Sequence, residues 1–164
     1  MGEALARQSF VDADLVMGVP DSGVPAAEGF AAASGIPFGF GLVKNRYIGR
    51  TFIMPGQEAR RKGVKQKLNA MPSEFKGKNV LIVDDSIVRG TTCKARVNNL
   101  KEAGAKEVHV LVSCPPHRHP CVYGIDFPDR SKLMASNYTL DEIRKYLNAD
   151  SLGYLSQDGM GKAT

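Results

Sequence analysis

The chain has 164 residues, of which 43% are hydrophobic and 24% are charged. This length allows one domain with a substantial core, and the composition is that of an ordinary soluble globular protein. No apolar run approaches the roughly 20 residues that a membrane-spanning helix requires, and the acidic start "MGEALARQSFVDAD" is not a signal peptide. With three cysteines in no disulfide-framework spacing, these features predict a cytoplasmic protein of one domain, residues 1–164, without a membrane partner.

Positive charge is concentrated in one part of the sequence. The segment from Lys44 to Lys78 contains ten Lys and Arg residues against two acids, which gives it a net charge of +8 in a chain of +5. Such asymmetry predicts an anionic partner for the segment, either nucleic acid or a multiply charged phosphate. The alternative is a basic loop that only faces solvent.

The order of the predicted elements indicates the fold class. Apolar runs such as "LVMGV" and "NVLIVDD" are typical of buried strands, and "TTCKARVNNLKEAGA" has helical periodicity with Val97 and Leu100 facing inward. The predicted strands are 15–19, 79–85, 107–114 and 151–156, with an extended stretch at 38–43; the predicted helices are 24–35, 91–105 and 140–147; residues 44–78 are predicted as a long loop. This alternation predicts an α/β fold with an open, mostly parallel sheet flanked by helices, and a ligand site beyond the carboxyl ends of the strands.

Two adjacent acids stand at one such strand end, in "VLIVDDSIVRGTT". Asp84 and Asp85 are both expected to emerge exposed at the edge of the sheet, with different roles because neighbouring strand residues point to opposite faces. Paired carboxylates suit the vicinal hydroxyls of a sugar, or a magnesium ion. Residues 86–92 then lead into a helix whose N–H groups can bind an anion, and Gly90 permits a tight turn. The pattern predicts a ribose with its 5′-phosphate; the alternative is an acidic helix cap.

The segment "GVPDSG" forms a second candidate phosphate site. A strand ends at Val19, Pro20 stiffens the turn, and the amides and hydroxyl around Asp21–Gly23 precede a helix start. This arrangement suits a pyrophosphate group. The alternative is an ordinary capped turn.

Three segments carry a resemblance to a known family: "VDDSIVRGTT", "HPCVYGID" and "LVKNRYIGRTFIMPGQEARRKGVKQKLN". The first resembles the phosphoribosyl-pyrophosphate (PRPP) signature of type I phosphoribosyltransferases. Together they resemble the transferase half of the glutamine PRPP amidotransferase family, the amidophosphoribosyltransferases, in register from about residue 1 to residue 160.

The resemblance implies a type I phosphoribosyltransferase fold and a pentosyltransferase activity. The implied reaction is magnesium-dependent displacement of pyrophosphate from PRPP by ammonia, giving 5-phosphoribosylamine in the first step of de novo purine nucleotide biosynthesis. Purine nucleotides as feedback inhibitors and a homo-oligomer at full length are also implied. The family's glutaminase half has no counterpart in these 164 residues, so glutamine-dependent activity is not expected of this chain alone.

The resemblance also assigns roles to residues. Substrate binding is expected of Asp21, Ser22, Gly23, Asp84, Asp85, Ser86, Ile87, Val88, Arg89, Gly90, Thr91 and Thr92. Magnesium binding is expected of Ser22, Asp84 and Asp85. Residues at about 44–68 are expected to form a mobile lid over PRPP, with Lys44, Arg46 and Arg50 as catalytic cations near the pyrophosphate.

The stretch "CPPHRHPC" contains four candidate metal ligands. The spacing of Cys114, His117, His119 and Cys121 matches no common zinc pattern, so an extended connector is expected instead. Some members of the family carry a four-iron iron–sulfur cluster, and Cys121 occupies one of its ligand positions; the cluster is expected only in a full-length protein. Cys93 is expected to be a small packing residue.

Two other functions stay open at this point. A non-enzymatic PRPP-binding regulator could reuse the same fold, since a fold does not fix a function. A nucleobase phosphoribosyltransferase is disfavoured, because the sequence shows no aromatic base-binding hood. Nucleic acid is not an expected partner, because PRPP gives the basic segment a role.

Overall fold

The computed structural model describes residues 1–44, 68–121 and 130–163. Among the predicted site residues, Arg46 and Arg50 lie outside these ranges, as does most of the predicted lid at 44–68. Within the described ranges, no helix is both long enough and apolar enough to cross a membrane.

A central sheet of four parallel strands organises the chain. In chain order the strands are β1 (Leu15–Gly18), β2 (Leu42–Lys44), β3 (Leu68–Ala70), β4 (Asn79–Asp84), β5 (Glu107–Val112) and β6 (Ser151–Tyr154). The sheet has the order β1-β4-β5-β6, while β2 and β3 form a separate antiparallel pair. Gly18 lies opposite Val83 and Asp84 lies opposite Val112, so the carboxyl ends of β1, β4 and β5 meet at one edge.

Helices cover both faces of this sheet. They are α1 (Gly2–Gln8), α2 (Val24–Ser34), α3 (Pro72–Phe75), α4 (Thr91–Glu102), α5 (Met134–Asn137), α6 (Leu140–Leu147) and α7 (Gln157–Ala163), with a 3₁₀ turn at Arg130–Lys132. Alternate residues of β4 serve the two faces. Val80 and Ile82 belong to the apolar cluster that includes α4 and α6, whereas Leu81 and Val83 belong to the cluster that includes α1 and α2. Burial on both faces explains the unbroken apolar sequence of this strand.

The predicted α/β architecture, a parallel sheet flanked by helices, is confirmed. Helix α2 stops before Gly35, whose φ of 76° is left-handed. Helix α6 begins at a capping box, in which the Thr139 and Glu142 side chains each accept a hydrogen bond from the other residue's backbone N–H. Val97 and Leu100 are fully buried, as predicted for the inward face of α4.

Parts of the fold differ from the prediction. The segment predicted as one loop, 44–78, contains β3 and α3, because β3 pairs with β2 and Phe75 of α3 is fully buried. Helices α1 and α7 were not predicted from the sequence: α1 buries only Gly2 and Leu5, and α7 buries no residue. Short helices with so little burial depend on tertiary contacts, and here α1 packs against α2 and α7.

Candidate functional site

The carboxyl ends of β1 and β4 open into a cavity of about 640 Å³. Its lining contains Ser22 and every residue from Asp84 to Thr92, and is completed by Val19, Pro20, Cys93 and Arg96. The structure therefore brings together the two strand-end segments that the sequence indicated. Asp21, Gly23 and Lys44, although predicted for the site, lie outside the lining.

The turn after β1 is held by backbone hydrogen bonds. The N–H of Val19 donates to the carbonyl of Val83, and the N–H of Gly23 donates to the carbonyl of Val19, both at 2.9 Å. A Cβ atom on Gly23 would lie 2.4 Å from the Val83 carbonyl oxygen, so glycine allows this close approach of the turn to β4. The expectation that the Gly23 amide binds an anion is therefore wrong: the turn itself uses this N–H. The Pro20–Asp21 peptide bond in the same turn is cis.

Asp85 is the exposed member of the acidic pair. Its Oδ2 accepts a hydrogen bond from the Ser22 hydroxyl at 2.5 Å, and its Oδ1 accepts one from the Ser86 hydroxyl at 3.2 Å. Partial burial by itself would raise the pKa of this carboxyl, but the hydrogen bonds from Ser22 and Ser86 outweigh burial and hold the pKa below its ordinary value. Asp85 is therefore ionised at neutral pH, and it joins the two predicted segments.

Asp84 has a different environment, with only 4% of its surface exposed. Its Oδ2 accepts a hydrogen bond from Nη1 of Arg96 at 2.5 Å, and its Oδ1 accepts one from the Asp85 N–H at 3.0 Å. Burial raises the pKa of Asp84 to about 6, although the positive charge of Arg96 opposes this shift. The expectation that both acids are exposed is wrong for Asp84, because Arg96 of α4 lies against it.

Arg96 is the lining residue that the sequence analysis missed. It follows Thr92 by four residues, about one helical turn along α4. Nearby on this helix Cys93 and Val97 are buried, so Arg96 interrupts an otherwise inward-facing stretch. A basic residue in such a stretch, one turn into a helix that follows an acidic strand end, is the signal that points to a partner inside the site.

The loop of residues 86–92 is anchored from below and open above. The Ile87 side chain is buried in the core, and the N–H of Met134 donates to the carbonyl of Val88 at 3.0 Å. Within the described part of the chain, the N–H groups from Ile87 to Thr92 donate no hydrogen bond. Because these groups surround the N-terminus of α4, they form a cradle suited to an anion.

Gly90 gives this loop its shape. Its φ of 71° lies in the left-handed region that side chains disfavour. A Cβ atom at this position would also lie 2.2 Å from Sδ of Met134. Glycine is therefore required on two counts, in agreement with the predicted tight turn.

Lys44 is the one predicted catalytic cation that falls in the described residues. Its ammonium group forms an ion pair with the carboxylate of Asp21. This contact ties the end of β2 to the turn after β1 and places a cation one residue away from Ser22. Asp21 is therefore engaged by Lys44 and does not face the cavity directly.

The cysteines separate into a core residue and two connector residues. Cys93 is buried, and burial raises the pKa of its thiol to about 12, so its prediction as a packing residue is confirmed. Sγ of Cys114 lies 3.7 Å from Nε2 of His117, and burial, reinforced by the acidic pair, raises the pKa of this thiol to about 11. Among the described residues, no three His, Cys, Asp or Glu side chains converge as a metal site requires. The assignment of Cys121 to an iron–sulfur cluster stays a prediction.

Comparison with known proteins relates the chain to enzymes of one name. Residues 3–131 match the phosphoribosyl transferase domain family. Relatives named amidophosphoribosyltransferase include those of Synechocystis sp., 57% identical over 160 residues, and Bacillus subtilis, 53% identical over 162 residues. These alignments cover 98% and 99% of this chain but only 32% and 34% of the relatives. The chain thus spans about a third of the length of the curated relatives it matches.

Solved structures show the same relationship. The glutamine PRPP amidotransferase of B. subtilis, complexed with ADP and GMP, has a TM-score of 0.89 at 53% identity and covers 98% of this chain and 35% of its own. Orotate phosphoribosyltransferase from Francisella tularensis has a TM-score of 0.52 at 16% identity over 98% of this chain and 73% of its own, a likeness of fold alone. The predicted type I phosphoribosyltransferase fold is thereby confirmed, and the chain belongs to the phosphoribosyl transferase domain family.

Proposed function

We propose that this chain binds PRPP at the carboxyl edge of its sheet and carries the transferase step of an amidophosphoribosyltransferase. In this step ammonia displaces pyrophosphate from PRPP and gives 5-phosphoribosylamine. The observation that carries the proposal is the hydrogen bond from Ser22 to Asp85, which joins the two strand-end segments beside one cavity. That cavity holds carboxylates for sugar hydroxyls and, next to them, N–H groups for a phosphate.

The two acids suit the ribose hydroxyls of PRPP. Asp85 is ionised and exposed, and each of its oxygens has a lone pair beyond the one used by a serine hydroxyl. Asp84 offers a second acceptor at the floor of the cavity, where Arg96 holds it. Two neighbouring hydroxyls would therefore meet two carboxylates.

The loop that follows suits the 5′-phosphate. Its N–H groups converge at the N-terminus of α4, whose dipole favours an anion. The hydroxyls of Ser86, Thr91 and Thr92 add short donors around the same cavity. Arg89 lines the cavity too and, among the described residues, has no ion-pair partner, so it can add positive charge. A phosphate here would lie one ribose away from the acids.

The oxygen donors of Ser22, Asp84 and Asp85 fit magnesium, a hard cation that prefers oxygen ligands. Magnesium in such enzymes is shared between one or two carboxylates and the substrate's own oxygens, which agrees with the lack of a three-ligand cluster in the described part of the chain. When bound, it would neutralise charge on the pyrophosphate. Asp85, exposed and ionised, is the carboxylate best placed to hold it.

Departure of pyrophosphate leaves an oxocarbenium-like ribose, so the reaction needs neutralised charge and little water. We assign Lys44 to the pyrophosphate side, because its ion pair with Asp21 places it beside the turn that carries Ser22. The same role for Arg46 and Arg50, and the cover formed by residues 44–68, rest on the sequence alone.

The relatives support ammonia as the acceptor and purine nucleotides as inhibitors. Relatives that match this chain at 57% and 53% identity are named amidophosphoribosyltransferase. The B. subtilis structure is a complex with ADP and GMP. We infer that nucleoside 5′-phosphates also bind this cavity, because they present ribose hydroxyls and a 5′-phosphate in the same arrangement as PRPP.

Titration calorimetry with PRPP and magnesium, followed by a turnover assay with ammonium salts, tests the proposal. We expect saturable binding and slow release of pyrophosphate that rises with pH, because only unprotonated ammonia is nucleophilic. Binding without turnover would favour the PRPP-binding regulator, and turnover with a nucleobase in place of ammonia would favour a nucleobase transferase. No binding of PRPP at all would contradict the proposal.

A further inference from the structure

We propose that Arg96 is a positioning residue of this site: it holds the buried Asp84 carboxylate at the cavity floor and balances its charge. The inference rests on the proposed binding of PRPP. Nη1 of Arg96 lies 2.5 Å from Oδ2 of Asp84, and the two side chains are 17% and 5% exposed. Both residues line the cavity.

The position of Arg96 on α4 accounts for its reach. Helical side chains lean toward the N-terminus of their helix, and α4 begins at the end of the loop that follows the acidic pair. Arg96 therefore points back to the strand end, while Cys93 and Val97 anchor the same turn of helix in the core. A guanidinium fixed by a packed helix can hold a carboxylate in one orientation better than one carried by a loop.

Stability alone does not explain this ion pair. Removing two charges from water carries a desolvation cost that their attraction often fails to recover. In addition, Nε of Arg96 is buried and, within the described residues, has no hydrogen-bond partner. An incompletely bonded buried group in the wall of a cavity requires an explanation, and a functional constraint supplies one.

The pair also divides the work of the two acids. Asp84 is matched by Arg96, whereas the hydrogen bonds to Asp85 come from the neutral hydroxyls of Ser22 and Ser86. Within the described residues no cation lies within ion-pair distance of Asp85. A hydroxyl needs only an oriented acceptor, which Asp84 remains in its ion pair, while a cation needs the net charge that Asp85 keeps.

The test compares variants by calorimetric titration with PRPP and magnesium. Arg96→Met should weaken binding at least about tenfold, and Arg96→Lys, which keeps the charge, should restore it to within about threefold. The matched control is Arg144→Met, which removes an arginine that pairs with Asp141 on α6 and does not line the cavity. Inorganic phosphate, titrated by phosphorus NMR, should bind Arg96→Met as it binds the unaltered chain, because the loop is intact.

Unchanged PRPP affinity in Arg96→Met would overturn the assignment. An equal loss of phosphate affinity would also overturn it, because it would indicate a general structural role. If circular dichroism shows that Arg96→Met does not fold, Arg96→Gln, which keeps a donor without the charge, replaces it with the same expected results. Failure of the unaltered chain to bind PRPP would contradict the proposed function itself, an outcome separate from equal binding by both chains.

Discussion

Acids at the two edges of the parallel sheet are used in opposite ways. At the amino edge, Oδ2 of Asp14 accepts a hydrogen bond from the N–H of Asn79 at 2.8 Å, and Oδ2 of Asp150 accepts one from the N–H of Val108 at 2.7 Å. At the carboxyl edge, Asp85 accepts hydrogen bonds from side-chain hydroxyls and lines a cavity.

The difference separates structural acids from acids available to a ligand. Asp14 and Asp150 satisfy N–H groups near the starts of β4 and β5, where a lost hydrogen bond would leave the backbone unpaired. The donors to Asp85 are hydroxyls that a ligand can displace. Asp84 combines both situations, because it is buried like a structural acid but lines the cavity.

The largest effect is expected from Asp84→Ala. This change leaves the Arg96 charge buried without its partner, and breaking a buried ion pair from one side costs about 3 kcal/mol or more. Urea denaturation should show this loss in the free energy of unfolding, and PRPP binding should disappear. The double variant Asp84→Ala/Arg96→Met should regain stability, because neither charge is then buried alone. Unaltered stability in Asp84→Ala would show that the pair does not form.

Asp85→Asn should affect binding without much affecting the fold. We expect PRPP affinity with magnesium to fall at least about tenfold, because the variant loses the charge that faces the cavity. The free energy of unfolding should change by less than about 1 kcal/mol, since the residue is exposed. Asp12→Asn, an exposed acid in the connection before β1, is the matched control. Equal dissociation constants for Asp85→Asn and the control would sink the assignment.

PRPP affinity is expected to fall as pH drops through about 6. The free protein binds a proton at Asp84, whose pKa burial raises to about 6, and so loses an acceptor for a ribose hydroxyl. The effect on stability has the opposite sign: because this pKa is higher in the folded state than in the unfolded state, the contribution of Asp84 to stability falls as pH rises from about 4 to above 6. Calorimetry between about pH 5 and pH 8, and denaturation of the unaltered chain against Asp84→Asn, measure the two trends. A flat affinity would contradict the first.

The smallest effect is expected from Asp150→Asn, at the amino edge. Partial burial would raise the pKa of Asp150, but the Val108 N–H and Lys101 outweigh burial and lower it. Its stabilisation of about 1 kcal/mol should therefore be present at neutral pH and lost as pH falls through the lowered folded-state pKa. Denaturation at neutral and acidic pH should show this difference, with PRPP affinity unchanged. Loss of PRPP binding in this variant would break the distinction between the two edges.

The fold could be predicted wherever a segment carries its own signal. β4 and β5 are unbroken apolar runs, and α6 has a capping box and two inward-facing apolar positions, so their periodicity suffices. β3 has only three residues and exists through its pairing with β2. Helices α1 and α7 bury so little that only their tertiary contacts explain them. Sequence patterns describe local preference, and these elements depend on distant partners.

The site shows the same limit. Ser22, Asp85 and Gly90 have the placement that their sequence context predicts, because each belongs to a short motif at a strand end. The burial of Asp84 and its pairing with Arg96 depend on how α4 packs over β4, which no local pattern encodes. Strand alternation did predict that the two acids differ, but not which one would be buried.

A crystal structure of the chain with PRPP and magnesium tests the central claim most directly. The account predicts the ribose hydroxyls within hydrogen-bonding distance of Asp84 and Asp85, and the 5′-phosphate on the N–H groups of residues 87–92. PRPP bound elsewhere, for example in the cavity between α1, α2 and α7, would contradict it. So would a ribose turned away from both acids.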